Sequence, residues 1–120
     1  MQKTKPIYRG EIYYADLRGA EGSEQDGIRP AIVIQNNLGN KHSPTTIVCA
    51  VTGRPKKPLP THTEIGSAAG LTKDSFALLE QLRTIDRRRI GRYIGRLDES
   101  TMVEIDKALA VSVGLSPAFF

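Results

Sequence analysis

Along its first hundred residues the chain gathers its apolar positions into short blocks, and polar, glycine- or proline-rich stretches separate them. Such punctuation predicts strands. Glu11–Leu17 is rich in β-formers and reads as the first strand. A second runs from about Arg29 to Asn36 around Ala31-Ile32-Val33-Ile34, and a third from Thr45 to Thr52. The third is apolar enough to be buried on both faces. Period-two alternation sets Thr52 on one side with Thr46, Val48 and Ala50, at the end where core gives way to solvent. Thr61–Ile65 reads as a short strand and Arg92–Leu97 as the last one. Phe76–Arg83 fits either helix or strand by periodicity, and a β meander needs a partner there, so a strand is expected. Glu80 would then point with Phe76, Leu78 and Leu82, and Gln81 with Arg83. Polar residues on so apolar a strand suggest a site or an interface.

The connections carry their own signals. Arg18–Gly27 is longer than an ordinary hairpin turn, and such loops in compact domains often have a function. Asn37–Pro44, dense in Asn, Gly, Ser and Pro, reads as a turn. Gly53–Pro60 holds three prolines and three cations, an extended basic loop unable to continue a ladder. Gly66–Gly70 is a small-residue connection and Arg87-Arg88-Arg89 a basic turn. From Asp98 the period changes. Met102, Ile105, Leu109 and Val113 fall at helical spacing, with Asp98 as N-cap and Gly114 as C-cap. Short strands followed by one amphipathic helix predict a small, strongly bent β-barrel with a terminal helix, in a single domain over residues 1–120.

Charge adds a direction to this outline. Residues 1–30 balance, 31–70 carry +3, 71–97 carry +4 and 98–120 carry −3. The basic middle suits a polyanion partner, although a solvated surface accounts for it equally well. The acidic end suits the helix start. The single cysteine, Cys49, lies in an apolar run and reads as a core residue rather than a nucleophile. With no second cysteine to pair it, a reducing cytoplasm is the expected compartment. Neither a signal peptide nor an apolar run of membrane-spanning length is visible.

Candidate chemistry centres on Gly22–Pro30. Here Arg29, a guanidinium that is always charged, stands at the mouth of a strand beside a long polar loop, and Pro30 biases it toward extended geometry. Phosphate recognition uses such an arrangement. In the basic loop Arg54, Lys56 and Lys57 are candidates for phosphate contact. No Cys/His cluster or HExxH-like spacing provides a metal site, and no cofactor is expected.

Arg9-Gly10-Glu11-Ile12-Tyr13, Gly22-Ser23-Glu24-Gln25, Gly27-Ile28-Arg29-Pro30, Val33-Ile34-Gln35-Asn36, Ser43-Pro44-Thr45, Pro60-Thr61-His62, Leu79 to Asp86 and Leu97-Asp98 occur in that order. With that order and spacing the chain resembles the MazF/PemK family of bacterial toxins over nearly its whole length, and the branch of Gram-positive bacteria in particular. The resemblance implies an SH3-like barrel of the MazF/CcdB type and a homodimer. It implies a cytoplasmic, sequence-specific endoribonuclease acting on single-stranded messenger RNA, held in check by a MazE-type antitoxin whose tail fills the RNA groove. By position it makes Arg29 and Thr52 the catalytic pair. It sets Ser23, Glu24 and Gln25 in a substrate loop; the basic loop and the polar positions of the Phe76–Arg83 strand, read by themselves, add Lys56, Lys57, Glu80 and Gln81 as candidate substrate contacts. Asp26 stands where close relatives often have glycine, adding negative charge beside the RNA path.

RNA carries its own nucleophile, so cleavage requires geometry and charge stabilisation rather than metal. Glu24 or solvent is the candidate base, a guanidinium being a poor one near neutrality. A two-histidine scheme through His42 and His62 is disfavoured: His42 lies in a turn remote from Arg29, and His62 is expected to order the Pro60–Glu64 strand. Two other classes stand as alternatives, a CcdB-like topoisomerase poison and a non-catalytic nucleic-acid-binding barrel. The first is disfavoured by having both Arg29 and Thr52. The second usually carries aromatic stacking platforms, and here Tyr13 and Tyr14 are the only adjacent aromatic pair before the C-terminal Phe119-Phe120.

Overall fold

The computed structural model of the chain describes residues 5–55, 57–67, 70–71 and 73–117. Its strands are β1 (Glu11–Asp16), β2 (Ile28–Val33), β3 (Thr45–Thr52), β4 (His62–Gly66), β5 (Ser75–Asp86) and β6 (Ile90–Arg96). Two α-helices accompany them among the described residues, α1 (Asn37–His42) and α2 (Glu99–Ser112), and the basic turn Arg87–Arg89 is a short 3-10 helix. The six strands form one antiparallel sheet in the order β4-β5-β3-β2-β1-β6. β3 spans the residues expected of it, and the other strands differ by one to three residues at their ends, most at β2, which stops three residues early at Val33, and at β5, which runs on three residues to Asp86.

β3 is buried on both faces, as its apolar run requires. Cys49 and Val51 enter a core with Ile12, Ile32, Leu79 and Ile105, while Val48 and Ala50 face a second cluster of Ala15, Leu17, Ala31 and Ile85. A flat sheet has no way to cover both of its faces in so short a chain, so this one bends. β5 supplies part of the bend. Cys49 pairs with Leu82 and Val51 with Ala77, so β5 carries extra residues between those pairs and bulges at Leu78–Gln81. The two edge strands are drawn together by the loop after β4. Gly70, at φ 87°, lies so close to β6 that a Cβ there would come within 2.6 Å of the Ile94 carbonyl oxygen. The sheet curls into a barrel-like shape without a hydrogen-bonded seam between β4 and β6 among the described residues.

The helix expected after Asp98 is present. The Asp98 side chain accepts from Thr101 N–H at 2.8 Å, and Gly114 follows the last helical turn at φ 80°. Ile105 and Ala108 anchor α2, which packs against β4 and β5. Val113, expected on the buried stripe, is instead 53% exposed, because the helix ends at Ser112 and Val113 is its C-cap.

Asn37–Pro44, expected as a turn, forms α1 instead. Asn36 caps it by accepting from Gly39 N–H at 2.7 Å, and Ser43 N–H closes the other end on the Gly39 carbonyl. Buried Asn40 then ties the helix down, donating to the Gln35 carbonyl and accepting from the Thr46 hydroxyl and from Gln35 Nε2. Side-chain hydrogen bonds hold this helix where an apolar stripe would normally do so, and periodicity is blind to them. The same turn shortens β2, since the N–H groups of Ile34 and Gln35 both bond the Ile47 carbonyl and the chain leaves the ladder.

Cys49 is buried, its Sγ donating to the Leu78 carbonyl at 3.1 Å, and burial pushes its thiol well above the usual range. A thiol so placed should resist alkylation in the native state and react only at the rate of unfolding. Time-resolved labelling in increasing urea checks this, and rapid labelling of the folded protein would contradict it.

Candidate active site

Arg29 enters β2 at its second residue and pairs with Ala15 of β1. On the other side of β2 the antiparallel register runs Val33–Val48, Ile32–Cys49, Ala31–Ala50. Continued past Ala31, it brings Arg29 opposite Thr52. Thr52 in turn pairs with Phe76 of β5, and Phe76 with Glu64 of β4. Cross-strand partners share a face, so one rung of the sheet presents Ala15, Arg29, Thr52, Phe76 and Glu64 together.

Arg29 is the feature of this rung that the fold leaves unexplained. Its Nε and Nη1 are buried without a hydrogen-bond partner, the only such side-chain atoms among the described residues. Buried donors are almost always paired, and leaving a charged one unpaired is costly. An anion seated against Arg29, with the Thr52 hydroxyl beside it, would remove that cost. Neither side chain makes a hydrogen bond to another described residue.

The loop before β2 is fastened around this position. Leu17 N–H bonds the Gly27 carbonyl at 2.9 Å and closes its base. From β5, Arg83 donates to the carbonyls of Leu17 and Arg18 at 2.6 and 3.4 Å. Arg89 adds bonds to the carbonyls of Asp16 and Arg18. The Arg18 guanidinium grips the Asp16 carboxylate at 2.8 and 2.9 Å and holds that carboxyl far below the usual range. Further out, Gln81 uses both ends of its amide on the loop. Its Oε1 accepts from Gln25 N–H at 3.2 Å and its Nε2 donates to the Ser23 carbonyl at 3.4 Å. Glu24 turns back on its own loop, where its carboxylate accepts from Glu21 N–H.

Glu80 and Gln81 both lie on the β5 bulge but serve different neighbours. Glu80 receives the Thr61 hydroxyl and His62 Nε2, each at 2.8 Å. His62 Nδ1 accepts from Leu59 N–H, which leaves Nε2 as the proton-bearing nitrogen that donates to Glu80. His62 thus orders the start of β4, as expected. His42 ends α1 and borders a separate cavity of about 790 Å³ together with Pro6, Tyr8 and Arg87. Lys57 is exposed in the basic loop, and Lys56 lies outside the described residues. No cluster of three or more His, Cys, Asp or Glu able to hold a metal occurs among the described residues.

The structure therefore joins Arg29 with Thr52, and Ser23 and Gln25 with Gln81, while Glu24, Glu80 and Lys57 stand apart from either group. Sequence reasoning missed Arg83 as the loop's main anchor. Its only signal was a charge alternating with Gln81 on an apolar strand. Phe76 and Glu64 were missed as well, since their place on the rung depends on pairings that a β5 bulge makes unreadable.

Residues 8–113 match the family model described as PemK-like, MazF-like toxin of type II toxin–antitoxin system. The chain is 51% identical over 112 residues to Endoribonuclease MazF of Staphylococcus epidermidis, covering 92% of this chain and 93% of that one. Among solved structures it resembles a mycobacterial endoribonuclease in complex with its cognate antitoxin, at 26% identity and a TM-score of 0.78, over 93% of this chain and 99% of the other. It has the fold of Deinococcus radiodurans MazF as well, at 22% identity and a TM-score of 0.78, over 92% and 98% of the two chains.

Proposed function

The chain belongs to the PemK-like, MazF-like toxin family of type II toxin–antitoxin systems, and from that premise we propose that it cuts single-stranded messenger RNA at a specific short sequence through the RNA's own 2′-hydroxyl. The observation that carries this reading is Arg29, with two buried donors unspent, on the rung of Thr52.

In the reaction the 2′-oxygen attacks phosphorus in line with the departing 5′-oxygen. The new P–O2′ bond forms as the P–O5′ bond breaks, leaving a 2′,3′-cyclic phosphate and a 5′-hydroxyl. One proton leaves the 2′-hydroxyl and one reaches the 5′-oxygen. Between those events negative charge grows on the non-bridging oxygens, and fixed donors aimed there lower the barrier. Arg29 supplies the permanent charge and Thr52 a hydroxyl hydrogen bond. A guanidinium is a poor base near neutrality, so the 2′-proton passes to water, or to Glu24 once its carboxylate leaves the Glu21 N–H. The loop segment of Ser23 and Gln25, tethered by Gln81, borders the RNA path and reads its bases.

The partner reading follows the mycobacterial relative that is seen with its cognate antitoxin: a MazE-type antitoxin inhibits this chain by covering the RNA groove. The toxin acts in the cytoplasm, where messenger RNA is found, as a homodimer. No helix among the described residues is long and apolar enough to cross a membrane. The topoisomerase-poison alternative gains no observation from the fold. A stacking platform for a passive binder is lacking at the adjacent tyrosines: Tyr13 is buried edge-on against Tyr93, and Arg92 lies over the ring of Tyr14.

A chimeric RNA tests the nucleophile. Replacing only the ribose 5′ of the cut by deoxyribose should abolish cleavage while leaving binding within about twofold, since one hydroxyl among many contacts is lost. Continued cutting at that bond would contradict attack by the 2′-oxygen.

A further inference from the structure

β3 ends at Thr52, and the chain turns through Gly53 so that Arg54 folds back over the sheet. The guanidinium carbon of Arg54 lies 5.0 Å from the centre of the Phe76 ring, and its Nη2 lies 3.8 Å from Glu64 Oε2. Phe76 is the cross-strand partner of Thr52, and Glu64 that of Phe76. Arg54 is therefore seated on the rung that holds Arg29 and Thr52, on the opposite side of Thr52 from Arg29. Neighbouring strands lie ~4.8 Å apart, which separates positions above β2 and β5 by roughly 10 Å. That is too far for one phosphoryl group and suits two phosphates of a single strand.

Three features prepare Arg54 for such a contact. Its side chain is 69% exposed, so its charge faces the solvent side of the rung. Phe76, itself buried, gives the guanidinium a flat seat that fixes its position while leaving its edge N–H groups outward. Glu64, also exposed, is at the outer limit of ion pairing and holds the cation loosely enough to be exchanged for a phosphate.

We propose that Arg54 is a substrate-contact residue that binds the phosphate next to the scissile one, with Phe76 as its support and Glu64 as the counter-charge it gives up. This assignment rests on the reading that Arg29 and Thr52 hold the scissile phosphate. Arg54 aligns the strand across the rung, so its loss weakens binding and raises KM more than it lowers kcat.

The salt dependence of binding tests it. A single-stranded oligonucleotide containing the cut sequence, with deoxyribose at the cut, is titrated with wild type, Arg54→Ala, Arg54→Lys and Glu64→Gln between 50 and 200 mM salt. Each phosphate contact to a single strand contributes ~0.7 to the slope of log affinity against log salt. Arg54→Ala should lose that increment, so that wild type weakens about 2.5-fold more than the variant across the range. Arg54→Lys should keep the slope, and Glu64→Gln should bind more tightly than wild type at low salt. An Arg54→Ala slope equal to wild type, while wild type still cuts RNA and Arg29→Ala does not, would overturn the assignment and leave the nuclease reading standing. A wild type that neither binds nor cuts the RNA would remove the reading beneath it.

Discussion

Replacing Arg29 with alanine should lower kcat/KM for RNA cleavage by ~10²–10³ or more, the usual cost of removing a donor aimed at developing charge. Stability should hold or rise. Arg29 spends neither Nε nor Nη1 on the protein, so truncation removes a buried, uncompensated demand for hydrogen bonds rather than a structural contact. A residue whose loss destroys activity while leaving the melting curve in place is one kept for its ligand. Lysine should restore little, because a point charge on a flexible stem does not reproduce the planar fork. Combining Arg29→Ala with Thr52→Ala should cost less than the sum of the two, since both act on one group of oxygens. Single-turnover cleavage alongside urea denaturation checks each point. A stability loss comparable to the activity loss would make Arg29 a structural residue.

Ile105→Ala should produce the largest change in stability, ~2–5 kcal/mol, as truncation of a fully buried isoleucine leaves a cavity. Ile105 has no exposed surface and joins Ile32, Cys49 and Leu79 in the main core. The effect is concentrated there because α2 has few anchors: only Ile105 and Ala108 are buried along its length. A small domain has a net stability of only ~5–15 kcal/mol, so the loss should appear as a clear drop in the urea midpoint with little change in slope. Cleavage per folded molecule should persist, since α2 contributes nothing to the Arg29–Thr52 rung. A loss below ~1 kcal/mol would mean that α2 is not fixed to the sheet through this residue.

What was legible in the sequence, and what was not, divides along physical lines. β3 could be read to the residue because its apolar run is continuous and ends at Thr52, and α2 could be read because Asp98 and Gly114 punctuate it. Arg29 stood out through its place between a long polar loop and an apolar strand. α1 was hidden because polar side chains hold it, and those same residues signal a turn when their partners are unknown. The β5 bulge was hidden for a different reason. Period-two counting assumes an even ladder, and an inserted stretch changes which neighbours Glu80 and Gln81 meet. As a result Gln81 could be read as a site residue, but its use of both amide ends on the Ser23–Gln25 backbone could not. The seat of Arg54 on Phe76 was likewise beyond reach, since it depends on two cross-strand registers at once.

The most direct test of the central claim is cleavage of a long mixed-sequence RNA in EDTA by wild type, Arg29→Ala and Thr52→Ala, with both new ends identified. The account predicts cuts at one short motif, 2′,3′-cyclic phosphate and 5′-hydroxyl ends, undiminished activity without divalent ions, and loss of cutting in both variants. RNA left intact by the folded wild type, or ends bearing a 5′-phosphate, would contradict it.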